Sequence, residues 1–333
     1  MKTHMKNTAA ALLCFAAVMI LNFALPRMLP GDPVAYLSGF AEEDMTAAQV
    51  ERYRSALHLD EPVLKQFGYY LGSIADGTLG YSFKKEASVS SLIASRIPAT
   101  LQIALPALVI SSALGLYLGL AAGSRRDSAL DRAVNAVSIG LNAVPGFAAA
   151  LGLMLFFCFR HRWLPYSGLN SPEIAAAAAA GRVSAAAFLA DRVRHLALPV
   201  TALTLGILPS RCLLVRNTAA EESGKKYVLY ARQRGLAPGV IRRSYILKNI
   251  AQPFIVMTGL SVGSCVGGSL VVENIFSING MGRLLTDAVY TLDYPLMQGI
   301  LFVTAGAMTA AIILSDIVCA LADPMAGRRN GDG

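Results

Sequence analysis

Charge is what this chain has least of. Only 15% of its 333 residues are Asp, Glu, Lys or Arg, against roughly 25% in a soluble globular domain. The length would allow two soluble domains, but that composition excludes them. Histidine occurs four times, at His4, His58, His161 and His195, too far apart in sequence to suggest a metal site. The five cysteines (Cys14, Cys158, Cys212, Cys265 and Cys319) are scattered, each within or at the edge of an apolar run, with no CxxC. That spacing argues against a disulfide framework or a thiolate metal site, and the cysteines read as small hydrophobes in helices. Catalytic groupings are missing as well. There is no HExxH, Ser, His and Asp are not gathered, and the carboxylates are not paired within apolar runs. Ser223-Gly224-Lys225-Lys226 superficially resembles a phosphate loop, but Ala219 stands where its first glycine is needed and Lys226 where a hydroxyl would hold magnesium.

What is present is apolar. Hydrophobic residues make up 55% of the chain and the mean hydropathy is +0.52. Several apolar runs reach the roughly 20 residues that a membrane-spanning helix needs. The sequence therefore predicts an all-α, polytopic integral membrane protein, since helices satisfy their own backbone in lipid. The net charge of +8 reads as basic loops facing anionic lipid, with no nucleic-acid partner.

Six spans are expected. The first ends near Pro26; Lys2 and Lys6 precede it and no A-x-A site follows, so it reads as an uncleaved helix with its N-terminus in the cytoplasm. A polar segment over about 28–98 follows on the outside. There Thr46 and Gln49 fit a capping box for a helix through about Leu57. A second helix from Pro62 places Val63, Leu64, Phe67, Leu71 and Ile74 on one face, as a solvated cap or a docking face for an external partner. Span two runs over about Ala99–Ala122, and span three over about Val134–Phe159, broken near Asn142 and Pro145. The Ala-rich interval 174–190 reads as an external helix, because Arg182 at its centre would cost about 2.5–3.5 kcal/mol in a bilayer. Span four is about Leu196–Val215, span five about Ile250–Val272 and span six about Leu296–Leu321.

Two doubled GxxxG ridges, Gly115, Gly119 and Gly123 in span two and Gly259, Gly263 and Gly267 in span five, predict close helix packing. Of the charges deep in spans, Arg211 and Asp316 are expected to pair with each other. The remaining feature is the interval 216–250, the longest basic stretch between two apolar runs in the second half. It carries Lys225, Lys226, Arg232, Arg234, Arg242, Arg243 and Lys248 against Glu221 and Glu222. It reads as two short helices hinged at Gly235, with Pro238 opening the second. Amphipathic through Tyr227, Val228 and Ala231, then Val240, Ile241 and Tyr245, it suits either insertion into a groove on a soluble partner or a solvated basic loop at the lipid face.

These residues carry a resemblance. Ala231 and Gly235 match the A-x-x-x-G core of the EAA loop of permease subunits from bacterial ABC importers, though Leu229 and Tyr230 stand where that motif has Glu and Ala. The variant of the dipeptide/oligopeptide/nickel branch fits better, through Tyr227, Val228, Ala231, Arg232, Gly235, Leu236, Lys248, Asn249 and Pro253, with Lys248 for the usual Arg. Further marks lie along almost the whole chain: Pro30-Gly31-Asp32-Pro33, Leu57, Leu59, Asp60 and Pro62, Gly80-Tyr81-Ser82-Phe83, and Arg96 with Pro98-Ala99-Thr100-Leu101. Later come Val272-Glu273 with Phe276, Gly280 with Gly282-Arg283, Asp293-Tyr294-Pro295 and Asp323-Pro324. Ile278-Asn279 replace the usual Trp-Pro, and the Ala-rich insert is private to this chain.

The resemblance implies the type I importer permease fold in the bacterial cytoplasmic (inner) membrane, with both termini cytoplasmic. It divides the chain into a first span (1–27), an external loop (28–98) that marks the B-type subunit, and a core (99–333). It also implies a C-type permease as partner, two cytoplasmic ATPases docking through Tyr227, Val228, Ala231, Arg232, Gly235 and Leu236, an extracytoplasmic substrate-binding protein, and surrounding membrane lipid. No cofactor is expected on this chain, ATP being bound by the partners, and the substrate would be di/oligopeptides or nickel. Two other classes stand against it. A secondary transporter would want midplane charges, and a membrane-embedded enzyme would want a catalytic cluster.

Overall fold

The computed structural model describes residues 2–28, 33–38 and 45–322. Of the marks above, Pro30, Gly31, Asp32, Asp323 and Pro324, together with the tail arginines Arg328 and Arg329, lie outside the described residues. The chain begins with the long helix α1 (Lys2–Met28), then α2 (Pro33–Ser38), α3 (Ala47–Ala56) and α4 (Val63–Ala75). A two-residue antiparallel pair follows, β1 (Tyr81–Ser82) and β2 (Ala87–Ser88), with Tyr81 opposite Ser88. Next come α5 (Val89–Gly123), α6 (Ala129–Asn142), α7 (Gly146–Met154) with a π-helical turn over Leu155–Arg160, and α8 (Pro172–Ala179). The second half holds α9 (Ala185–Ser223), α10 (Lys226–Gln233), α11 (Pro238–Ile241), α12 (Leu247–Gly267), α13 (Leu270–Ile275), α14 (Met281–Tyr290) and α15 (Tyr294–Ala322).

Among the described residues, five helices are long and apolar enough to cross a membrane, and six if the pair α6–α7, bent by 91°, counts as one broken span. The break falls where Asn142 ends α6 and Pro145 precedes α7, because a residue before proline is driven out of the helical region. Local signals explain several other boundaries. Thr46 caps α3 in a reciprocal box with Gln49. Ser128 accepts from Asp131 N to open α6, and Ser184 accepts from Ala187 N to open α9.

Two elements differ from the sequence reading for identifiable reasons. The Ala-rich interval is two helices. α8 stops at Ala179, Gly181 turns the chain at φ +68, and the second half is the start of α9, continuous with span four through 39 residues. Asp191 on α9 holds the preceding turn, accepting from Asn170 Nδ2 (2.9 Å), Ser171 N (2.8 Å) and Ser171 Oγ (2.7 Å). The second helix of the 216–250 loop is likewise not separate, since α11 passes through a π-helical turn (Arg242–Ile246) directly into α12. In α4 the buried residue is Gln66, while Leu64 is 82% exposed and Val63 and Leu71 also face out. Gln66 turns inward because its amide accepts from Arg27 Nε (2.8 Å) and donates to the carbonyls of Leu59 and Glu61.

The chain folds as two compact units. Its described residues within 1–101, 263–274 and 278–310 form the first, and those within 102–262, 275–277 and 311–333 the second. The first is built on Val89, Ile93, Met281, Leu284, Leu296 and Ile300. The second is built on Val215, Ala219, Val228, Ala231, Ile241 and Ile246.

Candidate functional site

The 216–250 loop is a folded part of the second unit. α9 ends at Ser223, and Gly224 and Lys225 turn the chain into α10. Gly235 at φ +74 reverses it, a left-handed conformation that glycine adopts without the strain a Cβ would bring. Pro238 then opens α11 at its first turn, where a missing N–H costs nothing. The turn lets α10 lay one face on the body of the unit. Val228 (0% exposed) and Ala231 (2%) pack with Val215, Ala219, Ile241, Ile246 and Ile250, flanked by Leu116 and Leu120 of α5.

The sequence grouped Tyr227, Val228, Ala231, Arg232, Gly235 and Leu236 as one contact set, and the structure divides them. Val228 and Ala231 face inward, and Leu236 packs against the same core. Arg232 and Gly235 are exposed, and beside them stand Leu229 and Tyr230, the latter 67% exposed. Tyr227 is tied to the loop's base: its hydroxyl bonds the Glu222 carboxylate and accepts from Asn249 Nδ2 (3.0 Å). Glu222 also takes the Lys225 ammonium, so one buried carboxylate joins the end of α9, the start of α10 and, through Asn249, α12. Burial, and then Glu222, pushes the Tyr227 phenol well above its usual range, so it stays a neutral donor. The Glu222 hydrogen bond raises the Lys225 ammonium. Sequence reading missed the role of Glu222, which in a line of text is one of two acids among seven bases.

The loop is bound to the spans on its other side too. Arg216 makes a two-pronged pair with the buried Asp131 at the start of α6, with both N–O distances 2.7 Å. The first glycine ridge explains how α5 reaches α9. A Cβ at Gly115 would lie 2.7 Å from Arg211 Cβ, one at Gly119 2.7 Å from Val215 Cβ, and one at Gly123 2.8 Å from Ala219 Cβ. The second ridge faces α15: a Cβ at Gly259 would strike Ser315, and one at Gly267 would lie 2.7 Å from Thr304 Cγ2, while Gly263 is buried. Arg211 donates to Thr258 Oγ1 (2.9 Å) and Ser261 Oγ (2.8 Å) on α12, and Asp316 stands half-buried on α15.

In the first unit, marks that are dispersed in sequence converge at two nodes. Glu273, fully buried, accepts at Oε1 from Thr100 Oγ1 (3.0 Å) and Ser269 N (3.1 Å), and at Oε2 from Arg283 N (3.1 Å). Thr100 Oγ1 in turn accepts from Met281 N (2.7 Å). A Cβ at Gly280 would strike both Glu273 and Thr100. A carboxylate set against the first turn of α14 has its charge offset by that helix's free N–H groups. At the second node Ser82 Oγ donates to Asp293 Oδ2 (2.5 Å), while Asp293 Oδ1 accepts from Leu296 N (3.2 Å) to cap α15. Among the described residues, no group of three or more His, Cys, Asp or Glu is placed to hold a metal ion.

Comparison with known proteins identifies the family. Residues 115–327 match the family model described as the binding-protein-dependent transport system inner membrane component, and residues 1–104 match its N-terminal companion. A Brucella suis protein described as a peptide permease is 32% identical over 310 residues, 92% of this chain and 93% of its own length. A di/tripeptide transport system permease protein of Pseudomonas aeruginosa is 32% identical over 322 residues, 93% of this chain and 94% of its own length.

Proposed function

The chain belongs to the family of inner membrane components of binding-protein-dependent transport systems, and from that premise we propose that it is the B-type permease subunit of an ATP-driven importer of di- and oligopeptides. Both cited relatives carry peptide descriptions, and they supply the substrate class. In this reading a C-type permease completes the translocation path. Two ATPases bind and hydrolyse ATP, this chain carrying no cofactor of its own, and an extracytoplasmic binding protein delivers peptide to the side of the 28–98 segment. Both termini and the 216–250 loop lie in the cytoplasm, the side favoured by the loop's arginines and lysines. The division into 1–27, 28–98 and 99–333 follows that topology.

The observation that carries the coupling mechanism is the two-faced packing of α10. Its inner face, Val228 and Ala231, is continuous with Val215 and Ala219 of span four and is flanked by Leu116 and Leu120 of span two. Its outer face presents Leu229, Tyr230 and Arg232, with Gly235 exposed in the turn that follows. A push on the outer face therefore reaches the spans through close-packed side chains, with Glu222 and Asp131 pinning the base. ATP-driven closure of the ATPases would move the loop and switch the path between inward- and outward-facing states. The test is a pull-down of the ATPase subunits by the full-length permease in membranes. Tyr230→Ala lowers association while the permease level holds, whereas Val228→Asp lowers the level of the permease itself. Undiminished association in Tyr230→Ala and Leu229→Ala together sinks the outer-face assignment. The expected Arg211–Asp316 pairing is tested by charge exchange: the double exchange restores a level that either single change lowers, and failure to restore it counts against the pair.

A further inference from the structure

Beside the docking face of the loop, and sharing Arg232 with it, lies a cluster of charge that the fold leaves without an acid. Three arginines from separate elements line one cavity of about 350 Å³: Arg125 in the turn after α5, Arg232 on α10 and Arg242 at the end of α11. Its apolar wall is made by Leu236, Pro238 and Ile241. The carboxylates of this region are engaged elsewhere. Asp131 holds Arg216, Glu221 and Glu222 hold Lys225, and Asp127 stands 3.9 Å from Arg126. Among the described residues no carboxylate lies within ion-pair distance of Arg125, Arg232 or Arg242. Guanidinium groups gathered in a concavity without an acid repel one another, and an oxyanion offering several acceptors relieves that repulsion.

The depth of the cavity selects among oxyanions. Arg125 is two residues beyond Gly123, where the apolar helix α5 ends, and Arg242 lies in the first turns of the membrane-length helix that begins at Pro238. Both therefore stand at the loop end of a membrane-length helix, the end that faces lipid headgroups. An apolar wall beside the arginines suits the boundary between headgroup and acyl chain better than a fully hydrated ion. We propose that Arg125, Arg232 and Arg242 form a binding site for the phosphate diester of an anionic phospholipid in the leaflet that faces the 216–250 loop. The lipid would neutralise the cluster and brace α10 against the ends of spans two and five, so that anionic lipid content sets how firmly the loop is held.

The proposal rests on the membrane reading of the chain and, for its effect on coupling, on the docking role of the loop. The test uses the full complex reconstituted in phosphatidylcholine vesicles with increasing phosphatidylglycerol, followed by native mass spectrometry of the lipid retained on the permease. Wild type retains phosphatidylglycerol over phosphatidylcholine. Arg125→Gln with Arg242→Gln lowers that retention by about tenfold or more, and Arg125→Lys with Arg242→Lys keeps most of it, which separates loss of charge from loss of fold. Equal retention by wild type and the glutamine variant overturns the proposal. Displacement of the retained lipid by inorganic phosphate in detergent also overturns it, by identifying a free-anion site. Co-purification of the ATPases is followed in parallel. If the glutamine variant loses the ATPases and keeps the lipid, the cavity belongs to an acidic partner surface, which ends the lipid assignment and leaves the docking reading intact.

Discussion

Glu273 shows most plainly how a single residue organises its surroundings. A fully buried carboxylate needs several donors to remain in place, and here Thr100, Ser269 and Arg283 supply them from three separate stretches of chain. Glu273→Gln puts an amide NH2 where one carboxylate oxygen accepted, facing a backbone N–H with no acceptor. The expected cost is about 1–3 kcal/mol, read as a lower unfolding midpoint of the purified protein. An unchanged midpoint would show that the node is not under this constraint. Ser82→Ala leaves Asp293 short of its side-chain partner, and its cost should be about 1–3 kcal/mol in the same measurement. The sequence displayed the side-chain members of these nodes within short motifs, Val272-Glu273, Pro98-Ala99-Thr100, and Gly80 to Phe83 with Asp293, and beside them Gly280 with Gly282-Arg283. It could not show that they meet, because spacing along a chain carries no information about contacts between stretches some 170 and 210 residues apart. Glu222 was hidden for a related reason: its value lies in a hydroxyl and an ammonium folded onto it, not in any pattern around it.

At the scale of elements, what local chemistry dictates was legible. The capping box at Thr46, the break between Asn142 and Pro145, the turn at Gly235 and the opening at Pro238 all follow from backbone preferences of the residues named. What depends on a neighbour was not. The apolar stripe of α4 gave no sign that Gln66 is the residue held inward, by Arg27. The alanine run read as one helix because alanine tolerates helix everywhere, so only Gly181 and the Ser184 cap divide it. The glycine ridges give a sharp contrast between neighbouring helices. Gly119→Ala would place a Cβ 2.7 Å from Val215 Cβ and 2.8 Å from the Cys212 carbonyl, and is expected to cost about 1–3 kcal/mol by forcing α5 from α9. Gly206→Ala, in α9 with nothing within 4 Å, should stabilise by about 0.5–1 kcal/mol through the usual helix-interior gain over glycine. Thermal unfolding of the two variants in the same detergent checks both signs, and equal midpoints would contradict the packing account.

For the whole molecule, composition alone set the class: too little charge for a soluble protein, and several apolar runs long enough to cross a membrane. The family match along the chain then makes it the membrane component of a transport system. The second unit gives that role a mechanical form, a loop whose inner face is continuous with the spans and whose outer face is open to a partner. The central claim is that this chain moves substrate only with work delivered through that loop. Uptake of a labelled dipeptide by vesicles reconstituted with the permease pair, the ATPases and the binding protein tests it most directly. The account predicts uptake that requires ATP and the ATPases and that falls sharply in Tyr230→Ala at an unchanged permease level. Uptake that persists without ATP, driven by an ion gradient alone, would contradict it.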